Sequence, residues 1–261
     1  MRFKSLAVVL AMIVSGFAAF DGTARAEEET RDPRNIRNMV LDAENLPAAL
    51  TEENQLWQVD IKAKFVYGQP IITEKYVLVG LDIRALADRD RFKKHRADLA
   101  CFDRESGELV WHLPWAQRGP WWATHGYTST PWVEDEKVYI LMPDGQAACL
   151  DIDGLTDGND GPVTHENQLM EIESMLPNEG DILWIYDFGR QHQVKAHDAH
   201  SSDPLIVGEL MIFATGQAAG MKPAPAWAKD KDIKNWNYQH KPNLIALNKN
   251  TGEFVAQDKV D

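Results

Sequence analysis

The densest run of hard oxygen donors is Asp151-Ile152-Asp153-Gly154-Leu155-Thr156-Asp157-Gly158-Asn159-Asp160-Gly161. Carboxylate and amide oxygens interleaved with glycines suit a Ca²⁺ loop, with Asp151, Asp153, Asp157 and Asn159 as the ligand set. Against the EF-hand template the run departs at three places: Leu155 stands fifth, Thr156 sixth where a glycine is needed, and Pro162 twelfth where a glutamate belongs. The simpler reading is a solvated turn between two strands, with any bound cation stiffening it. A second group is His192, His197 and His200, three imidazoles within nine residues that suit Zn²⁺ or Cu²⁺. Their spacing matches no established ligand pattern, and the simpler reading is a polar connector. Cys101 and Cys149 are the only two thiols. In an oxidising compartment, arithmetic alone would join them.

The elements that must position these residues form a repeat. Gly68 to Val79, Ser129 to Ile140 and Ser202 to Phe213 share one pattern, a proline followed by strand, tight polar turn and strand. Proline is tolerated at the start of such a strand because no ladder bond is lost there. Each copy is followed by a second half: Cys101 to Trp111 in the first and Ala246 to Ala256 in the third. The middle copy is opened at Cys149 to Gly154, interrupted by an insertion, and closed at Asp181 to Trp184. Asp or Asn followed by Ser/Thr-Gly is hairpin chemistry, the side chain capping its own turn and glycine supplying positive φ. Each unit is therefore predicted to be four strands. Trp57, Trp111 and Trp184 precede the Pro-led strands by 13, 20 and 20 residues, a recurrence that a β-sandwich does not explain. The Gly-His and Trp-Asp dipeptides of a WD-type propeller are missing.

Residues 101 to 111 resemble the tryptophan-docking motif of the PQQ-like (pyrroloquinoline quinone) repeat, Ala-x-Asp-x-x-Thr-Gly-x-x-x-Trp, with Cys for Ala and Ser for Thr. Residues 246 to 256 match it with Asn for Asp and Ala for the final Trp. The resemblance runs from about Leu56 to Val260 and is shared by quinoprotein alcohol dehydrogenases and BamB-type outer-membrane assembly scaffolds. The wording of Tyr139 to Gln146 is also similar to PQQ-like propeller proteins of planctomycete type. It implies an all-β fold, a partial, about three-bladed and unclosed β-propeller of four-stranded antiparallel blades near 68–115, 129–188 and 202–258. Trp57, Trp111 and Trp184, with Gly107 and Gly252, would be the blade-docking residues, each indole packed flat on the next blade's turn. Radial propellers hold about four to eight blades. A truncated product, a fragment of a longer gene or an obligate oligomer is expected.

The repeat register also bears on the thiols. Cys101 and Cys149 occupy one position in successive blades, where stacked sheets lie roughly 10 Å apart, beyond disulfide reach. They read as small buried apolar residues, each in place of the motif's alanine. Quinoprotein dehydrogenases carry two adjacent cysteines against the quinone, hold PQQ and Ca²⁺ on the ring axis and abstract a substrate proton with an Asp. No Cys-Cys occurs here, and no cationic cluster is placed to clamp the cofactor's carboxylates.

Residues 1–26 carry Arg2 and Lys4, an apolar run from Leu6 to Phe20, and Ala24-Arg25-Ala26, the layout of a secretory signal cleaved near Ala26. The run is shorter than the roughly 20 residues a bilayer span needs, so no integral membrane segment is expected in the mature protein. Residues 27–54 read as a polar extension, and 55–261 as the repeats. The chain carries a net charge of −13, and the leader's three cations outnumber its one acid by two, leaving the mature part near −15. That charge repels phosphate backbones, so nucleic acid is not an expected partner. Residues 84 to 96 read as a solvated loop with Arg91 among its charges.

Long loops on a rigid scaffold carry binding. Residues 217 to 242, with Trp227 and Trp236, and Pro120-Trp121-Trp122 form the expected binding surface, unless these aromatics pack under their own loops. The reading is an exported, periplasmic or secreted, non-catalytic propeller presenting loops to a protein or extracellular ligand, with no cofactor. The alternative is a PQQ- and calcium-dependent alcohol dehydrogenase-like enzyme or a fragment of one.

Overall fold

A computed structural model describes residues 49, 51–61, 63, 66–82, 88, 90–93, 95–116, 125–194, 202–216 and 241–259. The chain divides into two compact units, with a boundary between Val59 and Asp60. In the unit that ends at Val59, the described residues hold a short 3₁₀ turn, Glu52–Asn54, in which the Thr51 amide donates to Asn54 Oδ1 at 2.9 Å. Trp57 is buried.

The larger unit holds three four-stranded antiparallel sheets, each folded from consecutive strands. The first contains β1 (Ile71–Ile72), β2 (Tyr76–Asp82), β3 (His95–Asp103) and β4 (Leu109–Ala116). The second contains β5 (Trp132–Glu134), β6 (Lys137–Met142), β7 (Gln146–Asp151) and β8 (Ile182–Asp187). The third contains β9 (Leu205–Val207), β10 (Leu210–Ala214), β11 (Leu244–Asn248) and β12 (Phe254–Gln257). Among the described residues of this unit, helices are limited to single turns, α1 (Glu166–Leu169) and α2 (Phe188–Gln191), and a 3₁₀ turn at Gly154–Thr156. These are three blades of a partial β-propeller. Pro70, Pro131 and Pro204 each stand immediately before the first strand of a blade.

Identical register shows why the repeat reads as it does. Cys101 lies across from Trp111, Cys149 from Trp184 and Ala246 from Ala256, and a β-bulge follows each of the three at once. A bulge sharpens local twist at a fixed place. Past the bulge, the residue after the motif's Asp or Asn donates its amide to the tip of the preceding hairpin: Arg104 to Lys75 O at 2.9 Å, Ile152 to Glu136 O at 3.0 Å and Lys249 to Glu209 O at 2.9 Å. Asp103 Oδ1 caps its own turn, accepting the amides of Glu105 and Ser106, as Asn248 Oδ1 accepts those of Asn250 and Thr251.

The two inter-blade cores follow from the period of two in a strand. Val138, Ile140, Met142, Ala148 and Leu150 of the middle blade pack toward Leu78, Leu99, Trp111 and Leu113 of the first. The alternating residues Tyr139, Leu141, Ala147 and Cys149 pack with Met211, Phe213, Ile245 and Leu247 of the third. Buried on both faces, β6 therefore reads as a nearly continuous apolar run.

The indoles fasten these interfaces. Trp111 Nε1 donates to Ile152 O at 2.8 Å, and its ring leaves no room for a Cβ on Gly154, which would fall 2.8 Å from the indole. Trp184 repeats the arrangement one blade on, donating to Lys249 O at 2.9 Å over Gly252, whose Cβ would lie 2.6 Å from the ring. Gly252 sits at φ +72°, so turn geometry and close approach both demand glycine. Gly107, at φ +74°, occupies the matching turn of the first blade.

Candidate functional site

The insertion in the second blade, between β7 and β8, combines an acidic loop with a segment clasped to the first blade. Its entry is fixed by the Asp151 amide on Asp181 O at 3.0 Å, which zips the ends of β7 and β8 together. Asp151 Oδ1 then accepts the Asp153 amide at 2.8 Å. The chain turns through Gly154–Thr156, and the Asp160 amide returns to Asp181 Oδ2 at 2.8 Å. As a result, carboxylate oxygens of Asp151, Asp157 and Asp160 lie within 4.8 Å of one another.

The ligand set expected from the sequence is only partly gathered. Asp151 and Asp157 converge, but Asp153 turns to the first blade, paired with Lys75 Nζ at 2.5 Å and hydrogen-bonded by the Tyr76 hydroxyl. Asn159 donates to Glu166 Oε1 at 2.8 Å. Asp160 joins Asp151 and Asp157 in the cluster, and Asp181 lies beside it, accepting the Asp160 amide. Asp181 is fully buried, and its Oδ1 has no hydrogen-bond partner. Burial, then the charges of Glu166, Asp151 and Asp160, push its carboxyl up to about 6 against the amide bond from Asp160. Burial also raises Asp151, with Asp157, Asp153 and Asp160 adding to it. Asp160 lies within the donor-rich run but at a non-ligand position of the template, and Asp181 lies 21 residues further on, beyond any local pattern.

The remainder of the insertion is bolted to blade one. The Glu179 carboxylate, fully buried, receives Nε and Nη2 of Arg91 at 3.1 and 2.8 Å and the Leu176 amide at 2.8 Å. His112 donates its amide to Asn178 O, and its carbonyl accepts from Gly180. His95 Nε2 lies 2.6 Å from Met170 O. Below them, His112 Nδ1 meets Asp98 Oδ2 at 3.0 Å, with the Phe92 ring edge-on to His95 and His112. Burial alone would lower the His112 imidazole, but the charge and hydrogen bond of Asp98, with Glu179 adding, turn its net direction upward. Leu169, Ile172 and Met175 pack on the core around Met170, and α1 supplies a single turn of helix in this segment. Arg91 is thus no member of a solvated loop. Nothing in its own neighbourhood announced a partner 88 residues away.

The remaining candidates divide between packing and places that are not described. His192 caps α2, with Tyr186 Oη 2.8 Å from its Nε2 and the Phe254 ring 5.0 Å away. Burial lowers its imidazole, opposed by a hydrogen bond with Gln257. His197, His200, Trp121, Trp122, Trp227 and Trp236 lie outside the described residues, as does the leader.

Cys101 and Cys149 are free and buried in separate sheets, and desolvation raises both thiols, Cys149 to about 12. They cannot serve as an adjacent pair beneath a quinone. The described residues therefore do not fit that platform. Among the described residues no helix is long and apolar enough to cross a membrane.

No protein-family model and no curated protein matches the chain. Among solved structures it is similar to BamB from Moraxella catarrhalis, at 15% identity and a TM-score of 0.40, over 80% of this chain and 41% of that one. It is also similar to a europium-containing methanol dehydrogenase, at 13% identity and a TM-score of 0.41, over 75% and 26% of the respective chains. A quinohemoprotein alcohol dehydrogenase from Pseudomonas putida HK5 matches at 14% identity and a TM-score of 0.41, over 79% and 30%. The chain spans less than half the length of each of these structures.

Proposed function

We propose that this chain is an exported, non-catalytic PQQ-like propeller protein that presents inserted loops to a protein or an extracellular ligand. The observation that carries this reading is the clasp on the second blade's insertion. Arg91, Glu179, His95 and His112 are used to hold a loop in one place, and their side chains are engaged with the protein itself. A loop pre-ordered on a rigid blade loses less entropy on binding than a free one, which suits a recognition surface. The two thiols, Cys101 and Cys149, are buried and held protonated, which makes them poor nucleophiles. Periplasmic or secreted localisation rests on the leader-like first 26 residues. The expected partner is not a nucleic acid, given the net charge of −13.

The opposing reading, a PQQ- and calcium-dependent alcohol dehydrogenase, is separated by reconstitution. Purified protein incubated with PQQ and Ca²⁺ should show no dye-linked alcohol oxidation above a protein-free blank. Turnover that follows protein concentration would overturn the scaffold reading. In parallel, cross-linking in the envelope should give a discrete conjugate that is lost when the purified protein competes.

A further inference from the structure

We propose that Asp151, Asp157 and Asp160, backed by Asp181, form a binding site for a single hard divalent cation of Ca²⁺ size. Three carboxylate oxygens within 4.8 Å of one another can all touch one ion, since Ca²⁺ sits about 2.3–2.6 Å from each oxygen ligand and opposed ligands then stand roughly 5 Å apart. Mg²⁺ asks for tighter, near-octahedral packing at about 2.0–2.1 Å, and an all-oxygen set disfavours Zn²⁺ and Cu²⁺.

Acidic clusters at a surface are common without an ion, and Asp157 and Asp160 are exposed. Asp181 distinguishes this cluster. Its carboxylate is wholly buried beneath the loop, one oxygen spent on the Asp160 amide and the other without any hydrogen-bond partner. Buried carboxylates are normally paired, hydrogen-bonded or metal-associated. Here the Asp151 amide on Asp181 O and the Asp160 amide on Asp181 Oδ2 hold Asp181, which carries the orphan oxygen, against the backbone of two of the three converging acids. Among the described residues, no Lys or Arg forms an ion pair with Asp151, Asp157, Asp160 or Asp181. The nearby cation, Lys75, is spent on Asp153. A cation bound by the three outer carboxylates, with a coordinated water donating to Asp181 Oδ1, satisfies both the charge and the orphan acceptor. The ion would tie Asp157 and Asp160 to the end of β7 and close the loop over β8.

The site stands independently of what the loops recognise. Calcium chloride titrated by calorimetry into the full chain, previously freed of metal with chelator, should give one-site heat with a Kd of about 10⁻⁴–10⁻³ M, the range of extracellular modules. Asp157→Asn, at an exposed carboxylate, should weaken binding at least about tenfold. Asp153→Asn should bind within about threefold of the parent, because that carboxylate is engaged by Lys75 and Tyr76. Circular dichroism of each variant shows whether it is folded, and the Tm of the parent should rise with Ca²⁺ but not with Na⁺ at equal ionic strength. Absence of heat in the folded parent overturns the proposal, as does parental affinity in Asp157→Asn. A loss confined to Asp153→Asn overturns the ligand set.

Discussion

Arg91 and Glu179 meet across 88 positions, and the carboxylate is fully buried while the guanidinium keeps an edge to solvent. Such a pair owes its value less to attraction than to the cost of leaving one partner behind uncompensated. The same holds for Asp98 and His112, where the buried carboxylate raises the imidazole above its ordinary value of 6.5. The sign follows from linkage: a histidine whose folded pKa lies above its unfolded one contributes stability fully present below 6.5 and lost as pH rises through the raised value. Thermal unfolding across that window should show Tm falling as pH is raised above 6.5, and His112→Asn should flatten the dependence while lowering Tm throughout. An unchanged slope in the variant would place the titrating group elsewhere.

At the scale of the element, the repeated unit is a hairpin turn with an indole seated on its glycine. The two well-defined copies share the acceptor carbonyl, the residue after the motif's Asp or Asn, and the glycine beneath the ring. Gly252→Ala would put a methyl 2.6 Å from the Trp184 ring at a φ of +72°. It should cost about 2–4 kcal/mol by strain and overpacking, read by urea denaturation with the m-value unchanged. Gly208→Ala is the matched control: it too has positive φ, +57°, but open space at its Cβ, so it should cost only about 1 kcal/mol from backbone strain. Equal losses at the two positions would mean that indole contact contributes nothing beyond the turn. The third blade carries Ala256 across from Ala246, where the other two carry a tryptophan across from a cysteine. Its outer strand β12 is correspondingly exposed along its length.

For the whole molecule the governing quantity is charge. A net −13 on 261 residues opposes compaction through self-repulsion, and screening relieves it over a Debye length of about 10 Å at 0.1 M salt. Raising NaCl from low ionic strength to about 0.15 M should therefore increase Tm by a few degrees. A fall instead would show that ion pairs such as Lys75–Asp153 and Lys249–Glu134 outweigh the general repulsion.

The blades were legible because everything that specifies them is local or repeats at fixed register. A period of two, a proline before each first strand, an Asx cap and a glycine in the turn need only a dozen residues to be recognised. Buried small residues at 101 and 149 followed from that register too, since equivalent positions of neighbouring sheets cannot meet. The candidate site was legible in part. Density of oxygen donors pointed to the loop after β7, but which acids converge depended on where each neighbouring group was already engaged. Lys75 and Tyr76, on another blade, withdrew Asp153; Glu166 withdrew Asn159; the pairing of β7 with β8 across a long insertion brought in Asp181. The clasp of Arg91, Glu179, Asp98, His95 and His112 left no sequence signal, because each residue is ordinary among its neighbours in the chain. Strand alternation and turn chemistry are properties of short segments and are written in order along the sequence. A carboxylate's partner is chosen by distance in space, which exists only once the sheets have packed.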